Sequence, residues 1–287
     1  MMSKKTRNII IGVIAAVVLV IAGWFSFGPA GSPASKPHHD RVVTIGVVGD
    51  SKPEHVIWQH IAQTAKKKYG IIIKTKAFTD YNQPNKALKN GEIDLNAIQT
   101  TTFMHTWSKE NHANIVSIGK TYIAPIRLYS NKYHKISQLP QGATIAIPND
   151  AATESRALYV LKNAGLIDLT KDKKLKTIAD ITKNPHNLKI KEVSDEQCAR
   201  VINSVDAVIV NNDFAVPAGL GKKQTIFIEP INKDSAGAFN NICANKKDAK
   251  DPDYLNVVKA YQTEETKKLY RKYYSDMQKA VWDITLK

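Results

Sequence analysis

The residues with the clearest potential for chemistry lie in Thr144–Leu161, where an apolar stretch, a polar turn and an amphipathic stretch follow one another. Thr144–Ile147 is typical of a short buried strand, and Pro148 ends it because proline has no backbone donor for the sheet. Asn149 and Asp150 favour a turn and a helix N-cap. The first N–H groups of a helix have no partner within the helix, so this strand–turn–helix unit predicts a site for an anion.

Arg156 is the candidate ligand-binding group of this unit. It lies early in the predicted helix, at the edge of an apolar face that contains Ala157, Val160 and Leu161. A cation near a helix N-terminus opposes the helix dipole, so an anion is expected to compensate it. A ligand carboxylate held by two parallel hydrogen bonds would do so. The alternative is an ion pair with Glu154 or with another acidic side chain of the same surface.

Strand and helix patterns alternate along most of the chain around this unit. Strand patterns occupy Val42–Val48, Ile71–Ala77, Ile93–Ile98, Leu188–Val193 and Ala207–Val210, and helical patterns occupy Glu54–Tyr69, Asn82–Asn90, Thr102–Asn111, Glu196–Ser204, Asp253–Tyr261 and Glu264–Ala280. This alternation predicts an α/β fold with mainly parallel sheets. The strands are too many for one sheet with short connections. We therefore expect two α/β lobes, residues 41–124 plus 230–287 and residues 125–229, with a ligand cleft at the strand ends. Tyr122–Tyr129 and Thr225–Glu229 are the expected crossings between the lobes.

Residues 1–40 read as a separate segment. Lys4, Lys5 and Arg7 precede the apolar run Ile9–Phe27, whose length of about 19 residues is close to that of a membrane helix. The preceding positive charges predict that the rest of the chain is extracytoplasmic. Both an uncleaved anchor and a cleaved signal peptide fit, with a protein anchored at the cell membrane as the first expectation and secretion after cleavage as the alternative. Ser32–Asp40 reads as a linker.

The chain has a formal net charge of +15, but its lysines lack the interleaved aromatic residues of a nucleic-acid reader, so no nucleic-acid partner is expected. Cys198 and Cys243 are its two cysteines. They could pair in an exported protein, although two isolated thiols are the preferred interpretation. The sequence contains no motif with the known residue spacing of a catalytic site, a metal site or a cofactor-binding loop. These observations favour a receptor without cofactor or metal over an enzyme.

Several stretches together resemble one known family. They are Phe78–Leu88, Gly91–Asn96, Gly142–Asp150 with Arg156–Leu158, Asn184–Ile190 and Asn211–Ala215. On these motifs the chain resembles the NlpA/MetQ family of methionine-binding proteins of bacterial ABC importers. The resemblance covers nearly everything after the linker. It implies a bilobal periplasmic-binding-protein fold of type II that closes on a free amino acid, with an ABC permease and an ATPase as partners.

The resemblance also implies roles for individual residues. Arg156 matches the family arginine that holds the ligand carboxylate. Asn211 matches a family asparagine after a strand, and Asn241 matches a later one, with Asn240 as the alternative at a shift of one residue. Tyr81 matches a tyrosine that lines the side-chain pocket.

The chain departs from the family pattern at Ile98–Phe103. The family usually carries Phe-Gln-His-x-Pro-Tyr here, whereas this chain has Ile-Gln-Thr-Thr-Thr-Phe. Gln99, Thr100 and Phe103 are therefore the expected lining of a rewritten side-chain pocket, since a site built for one hydrogen-bonding group discriminates against ligands without it. The expected ligand is a free amino acid or small peptide, methionine included. The family's lipid-bearing cysteine is also missing, and the apolar N-terminal segment is expected to replace it as the tether.

The sequence thus predicts an extracytoplasmic substrate-binding protein of an amino-acid importer. The alternative is a surface-anchored interaction protein whose positive charge binds anionic polymers of the cell wall or membrane.

Overall fold

The computed structural model describes residues 40–49, 51–171 and 174–284. The predicted membrane or signal segment lies outside these residues. Eight α-helices are described, and we number them in chain order. They are α1 (Lys52–Tyr69), α2 (Asn82–Asn90), α3 (Thr101–Glu110), α4 (Ala151–Asn163), α5 (Asp195–Cys198), α6 (Asn212–Ala215), α7 (Pro252–Tyr261) and α8 (Glu264–Tyr274).

Fourteen strands are described in the same residues. They are β1 (Arg41–Val48), β2 (Ile71–Phe78), β3 (Leu95–Thr100), β4 (Ile115–Lys120), β5 (Tyr122–Ile123), β6 (Arg127–Tyr129), β7 (Thr144–Pro148), β8 (Asp168–Leu169), β9 (Ile181–Lys183), β10 (Lys189–Val193), β11 (Ala207–Val210), β12 (Thr225–Ile228), β13 (Asn240–Asn245) and β14 (Lys279–Ala280).

Two five-stranded sheets form the centres of two α/β lobes. The first sheet has the order β2-β1-β3-β13-β4 and the second the order β10-β7-β11-β6-β12. β1 pairs in parallel with β2 and β3, while β13 runs antiparallel to β3 and β4. In the second sheet β7 pairs in parallel with β10 and β11, while β6 runs antiparallel to β11 and β12. Four of the five strands in each sheet therefore run in the same direction, and one strand, β13 or β6, runs against them. The prediction of mainly parallel sheets is confirmed, with one antiparallel strand in each sheet.

Local sequence explains where the elements begin and end. Ser51 caps α1 by accepting a hydrogen bond from Glu54 N, and Gly70 closes it with a left-handed φ of 68°, a conformation that glycine adopts without steric cost. Asp150 caps α4 by accepting from Ala152 N and Thr153 N. The predicted N-cap role of Asp150 is thereby confirmed.

Two predicted helices differ from the structure. The helix predicted to reach Ala280 ends at Tyr274, because Ser275 has a φ of 53°, which does not continue a right-handed helix. The chain then returns as β14 against β5. The helix predicted from Glu196 to Ser204 is the short α5 followed by a 3-10 turn over Ala199–Val201.

Each lobe has its own apolar core. One core contains residues from β1, α1, β13 and α7, with Ile45, Ile61 and Val257 completely buried. The other contains residues from β6, β7, α4 and β11, with Leu158 and Leu161 completely buried. Complete burial of one such side chain stabilises the fold by about 1.5–3 kcal/mol. Cys198 and Cys243 are both buried and free, as the preferred interpretation had it.

Candidate functional site

A cavity lies where strand ends of the two sheets meet. It holds about 450 Å³ of space not filled by protein atoms, part of it open to solvent. Its walls come from the ends of β3 and β11, the start of β13, the first turns of α4 and the segment from Tyr122 to Ile126. The lining residues are Tyr81, Ile98, Gln99, Thr100, Phe103, Tyr122, Ala124, Ile126, Thr153, Arg156, Asn211, Asn212, Asp213 and Asn240.

Six of the seven predicted ligand-binding residues line this cavity, and the seventh, Asn241, does not. The Asn241 side chain donates to Phe239 O at 2.7 Å and accepts from Ser117 Oγ at 2.8 Å. Asn240, the alternative at a shift of one residue, lines the cavity. Successive residues of a strand point to opposite sides of the sheet, so only one of the two asparagines can face the cavity. The structure places Asn240 there.

Arg156 already has an acidic partner within the protein. Its Nε donates to Glu229 Oε1 at 2.8 Å, and its Nη2 donates to Glu229 Oε2 at 2.5 Å. Nη2 also donates to Ala124 O at 2.8 Å. The ion-pair alternative of the sequence analysis is thus present, with Glu229 as the acid. Glu154 instead accepts from Ile178 N.

The guanidinium group nevertheless keeps a donor for a ligand. Nη1 of Arg156 has no hydrogen bond to any residue that the structure describes, and Arg156 lines the cavity. The first-turn N–H groups of α4 are less available, because Asp150 accepts from Ala152 N at 3.0 Å and Thr153 N at 3.2 Å. The helix cap itself thus uses two of the donors that the sequence assigned to an anion site.

An aromatic wall stands beside a buried carboxyl group. Tyr81 packs edge-to-face on Phe103 and Phe214, with ring centroids 5.9 and 5.1 Å apart. The Tyr81 hydroxyl donates to Asp213 Oδ2 at 2.9 Å. Burial raises the pKa of Asp213 to about 6, although hydrogen bonds from Tyr81 and Tyr122 oppose this rise. This side of the cavity therefore combines apolar surface with a carboxyl group that ionises near neutral pH.

Asn211 is held by a second buried acid. Its Nδ2 donates to Asp195 Oδ1 at 2.8 Å, and Thr153 Oγ1 donates to the same oxygen at 3.1 Å. Burial, together with the neighbouring Asp150 carboxyl, raises the pKa of Asp195 well above its ordinary value. This contact fixes the orientation of the Asn211 amide, so its carbonyl oxygen is the end that stays available.

Gln99 and Thr100 have structural partners although they line the cavity. Gln99 exchanges hydrogen bonds of 2.9 Å with Asn85 and donates to Asn96 Oδ1 at 2.9 Å. Thr100 caps α3 by accepting from Phe103 N at 3.2 Å. Both side chains therefore shape the β3–α3 turn, and Phe103 supplies apolar surface next to it.

Three residues of this region, Asp213, Glu229 and Asn212, were not predicted as site residues. Asp213 and Asn212 lie in Asn211–Ala215, directly after a strand, so their position was a usable signal. The Asn212 Nδ2 atom is buried and has no hydrogen-bond partner in the described part of the chain. Nothing near Glu229 in the sequence indicates its pairing with Arg156, which lies 73 residues away.

Within residues 40–49, 51–171 and 174–284, no helix combines the length and apolar content needed to cross a membrane. Nor do these residues contain a group of three or more His, Cys, Asp or Glu side chains placed to hold a metal ion.

Comparison with known proteins identifies the family of this chain. The model of the NlpA lipoprotein family matches residues 43–282. The chain belongs to this family.

Among its relatives, a probable D-methionine-binding lipoprotein MetQ of Pasteurella multocida is 37% identical over 88% of this chain and 90% of the relative. Outer membrane lipoprotein 1 of Mannheimia haemolytica is 38% identical over 82% of this chain and 84% of the relative.

Solved structures give the same result. The substrate-binding protein of a methionine transporter from Streptococcus pneumoniae superimposes with a TM-score of 0.79 at 43% identity, covering 85% of this chain and 97% of the neighbour. A nutrient-binding protein from Burkholderia cenocepacia, solved with bound methionine, superimposes with a TM-score of 0.78 at 36% identity. The match covers 83% of this chain and 99% of the neighbour. The predicted bilobal binding-protein fold and the predicted family are both confirmed.

Proposed function

We propose that this protein is the extracytoplasmic substrate-binding protein of an ABC importer and that it binds free methionine between its lobes. The observation that carries the proposal is the cavity at the strand ends. Among the described residues, Asn212 Nδ2 has no hydrogen-bond partner there, and Arg156 forms its hydrogen bonds through Nε and Nη2, which leaves Nη1 as a donor. Relatives named for methionine binding support methionine as the ligand. The protein then acts by binding and release and is not an enzyme.

In this proposal Arg156 binds the ligand carboxylate, with the Asn212 amide as a second donor. Asn211 offers its carbonyl oxygen as an acceptor, and Asn240 offers an amide group, which has both donors and an acceptor and suits the polar end of an amino acid. Tyr81 and Phe103 provide apolar surface for the side chain. Gln99 and Thr100 act mainly through the shape of the β3–α3 turn, because their polar atoms already have protein partners.

The two lobes are proposed to comprise residues 41–124 plus 230–287 and residues 125–229. The pattern of sheet pairing supports these limits, since β1–β4 and β13 share one sheet and β6, β7 and β10–β12 share the other. The chain passes from β5 to β6 at Ala124–Ile126 and leaves β12 at Glu229. Arg156 contacts Ala124 and Glu229, one in each crossing segment.

A membrane tether through residues 1–40 is part of the proposal. Relatives are named lipoproteins, which supports attachment of the binding domain to a membrane. This chain has no cysteine in residues 1–40, so the apolar run Ile9–Phe27 is the proposed tether. An ABC permease and its ATPase are the proposed partners.

A thermal-shift screen of the full chain against the twenty L-amino acids, D-methionine and methionine-containing dipeptides tests the proposal. A ligand that binds only the folded state raises the melting temperature by mass action. We expect a shift with methionine that Arg156→Lys reduces, because lysine keeps the charge but not the forked donors. A shift with another amino acid or with dipeptides alone would refute methionine as the ligand, and no shift with any of them would refute amino-acid binding.

A second candidate function is binding of anionic polymers. It is favoured by an open groove lined by Lys89, His112, Lys246 and Lys247, in a chain with a net charge of +15. Binding to a polyphosphate column that falls steeply with added salt, without any shift in the screen above, would support this candidate over the first.

A further inference from the structure

Asp213 is a half-buried residue whose carboxyl group lies in the wall of the cavity, and its side-chain partners are neutral. Tyr81 donates to it at 2.9 Å, and Tyr122 is its second phenol donor. Among the described residues Asp213 forms no ion pair. An ionised carboxyl group that is largely removed from water ordinarily has a cationic partner, because hydrogen bonds alone offset only part of its desolvation.

The other ionised groups at the cavity do not supply that cation. Arg156 lines the same cavity, but it forms a two-pronged ion pair with Glu229. The positive charge of Arg156 is thus balanced within the protein, and the charge of Asp213 is not. With Asp213 ionised, the cavity carries an uncompensated negative charge that a cationic group of a ligand would neutralise.

We propose that Asp213 binds the ammonium group of the ligand and so selects ligands with a free α-amino group. This inference rests on the proposed function and deepens it, since it assigns the two ends of an amino acid to two places in the cavity. The carboxylate end lies at Arg156 and Asn212, and the ammonium end lies at Asp213. An acid of the same shape without the amino group would leave Asp213 unpaired and would bind weakly.

The proposal has a pH signature. Asp213 must be ionised to attract the ammonium group, and burial raises its pKa to about 6. Affinity for methionine should therefore increase as the pH rises through about 6 and level off above it. Three tyrosines, Tyr81, Tyr122 and Tyr274, have pKa values that the charge of Asp213 raises. The other charged groups nearby are Arg156 in the same wall, and Glu54 and Asp195, whose charges also raise the pKa values of these tyrosines. Burial raises the pKa of all three tyrosines, so they stay neutral between pH 5 and pH 7.

The test compares methionine with its hydroxy analogue, 2-hydroxy-4-(methylthio)butanoate, in which a neutral hydroxyl replaces the ammonium group. Dissociation constants are measured by calorimetry at pH 5 to 8 on the full chain and on Asp213→Asn. Asp168→Asn, an exposed carboxyl outside the cavity lining, is the matched control. Asparagine keeps an acceptor for Tyr81 and removes the charge.

The expected result is that wild-type protein prefers methionine over the hydroxy analogue by about 10–100-fold, the range of one charge-assisted hydrogen bond. Asp213→Asn should remove most of this preference and flatten the pH dependence below pH 7, while Asp168→Asn behaves like wild type. A preference or a pH slope that survives in Asp213→Asn overturns the inference, because Asp195 or Glu54 would then carry it.

Failure of the inference and failure of the proposed function give different results. Equal affinity of wild-type protein for methionine and the hydroxy analogue overturns the role of Asp213 while the proposed function stands. No binding of methionine by folded wild-type protein refutes both. If Asp213→Asn does not fold, the comparison of two ligands on wild-type protein still allows the inference to be refuted.

Discussion

Replacement of Arg156 by alanine should weaken the fold as well as the proposed carboxylate site, because Glu229 depends on this guanidinium group. Two hydrogen bonds of 2.8 and 2.5 Å join the pair, and a third joins Arg156 to Ala124 O. In Arg156→Ala the Glu229 carboxylate keeps, among the described residues, the single donor Ile126 N at 3.0 Å. A largely buried carboxylate would then lack a countercharge.

The structure sets the size of this effect. The Arg156 and Glu229 side chains are only 16% and 13% exposed. Loss of one partner from a buried ion pair costs about 3–5 kcal/mol. Glu229 keeps its hydrogen bond from Ile126 and is partly accessible to water, so we expect Arg156→Ala to lower the free energy of unfolding by about 3 kcal/mol, the lower end of this range. For a compact unit of this size that corresponds to a fall in melting temperature of about 6–12 °C.

Urea unfolding at pH 7 without ligand, followed by circular dichroism, measures this change. The matched control is Arg156→Ala combined with Glu229→Gln, which removes both charges and keeps an acceptor for Ile126. The double variant should be more stable than Arg156→Ala by at least about 1 kcal/mol, since neighbouring sites are not additive. A loss below about 1 kcal/mol in Arg156→Ala, or a double variant no more stable than Arg156→Ala, would refute this account of the pair.

Three further predictions concern stability without ligand. Thr100→Ala should destabilise the fold by about 1 kcal/mol, because it removes the N-cap of α3; urea unfolding checks this. Leu158→Ala should cost about 2–5 kcal/mol by the same assay, because Leu158 is completely buried. Burial raises the pKa of Asp213 to about 6, so the folded state holds this proton more tightly than the unfolded chain. The resulting stability is present below pH 4 and is lost as the pH rises to about 6, a change of about 3 kcal/mol. Asp213→Asn should remove this loss, and unfolding at pH 4 to 7 against wild type measures the difference.

Local patterns predicted most of the elements. Asn82–Asn90 and Ala207–Val210 were placed at their observed limits, because a glycine closes the helix and polar residues flank the strand. The direction of the strands could not be read in this way. β13 lies between β3 and β4, yet about 120 residues separate it from β4, and nothing local shows which way a returning strand will run.

In the candidate site, too, individual residues could be predicted but the contacts between them could not. Position at a helix start predicted Arg156, and the family resemblance implied Asn211 and Tyr81; all three line the cavity. Contacts between residues far apart in the sequence could not be predicted. Glu229 contacts Arg156, which lies 73 residues away, and Asp213 contacts Tyr81, which lies 132 residues away. These pairs are seen only in the folded chain. The choice between Asn240 and Asn241 depended on strand register, which a shift of one residue reverses.

The polar groups of the cavity oppose folding, and this argues for a ligand that they meet. Asp213 is half-buried and, in the described part of the chain, has only neutral side-chain donors, and Asn212 has a buried amide nitrogen without a partner there. An unsatisfied buried donor costs about 1–3 kcal/mol. Apolar residues could replace a buried ion pair such as Arg156–Glu229 at no cost to stability. Packing therefore does not explain why such groups gather in one cavity between two well-filled cores. A zwitterionic ligand does, because its carboxylate meets the donors and its ammonium group meets Asp213.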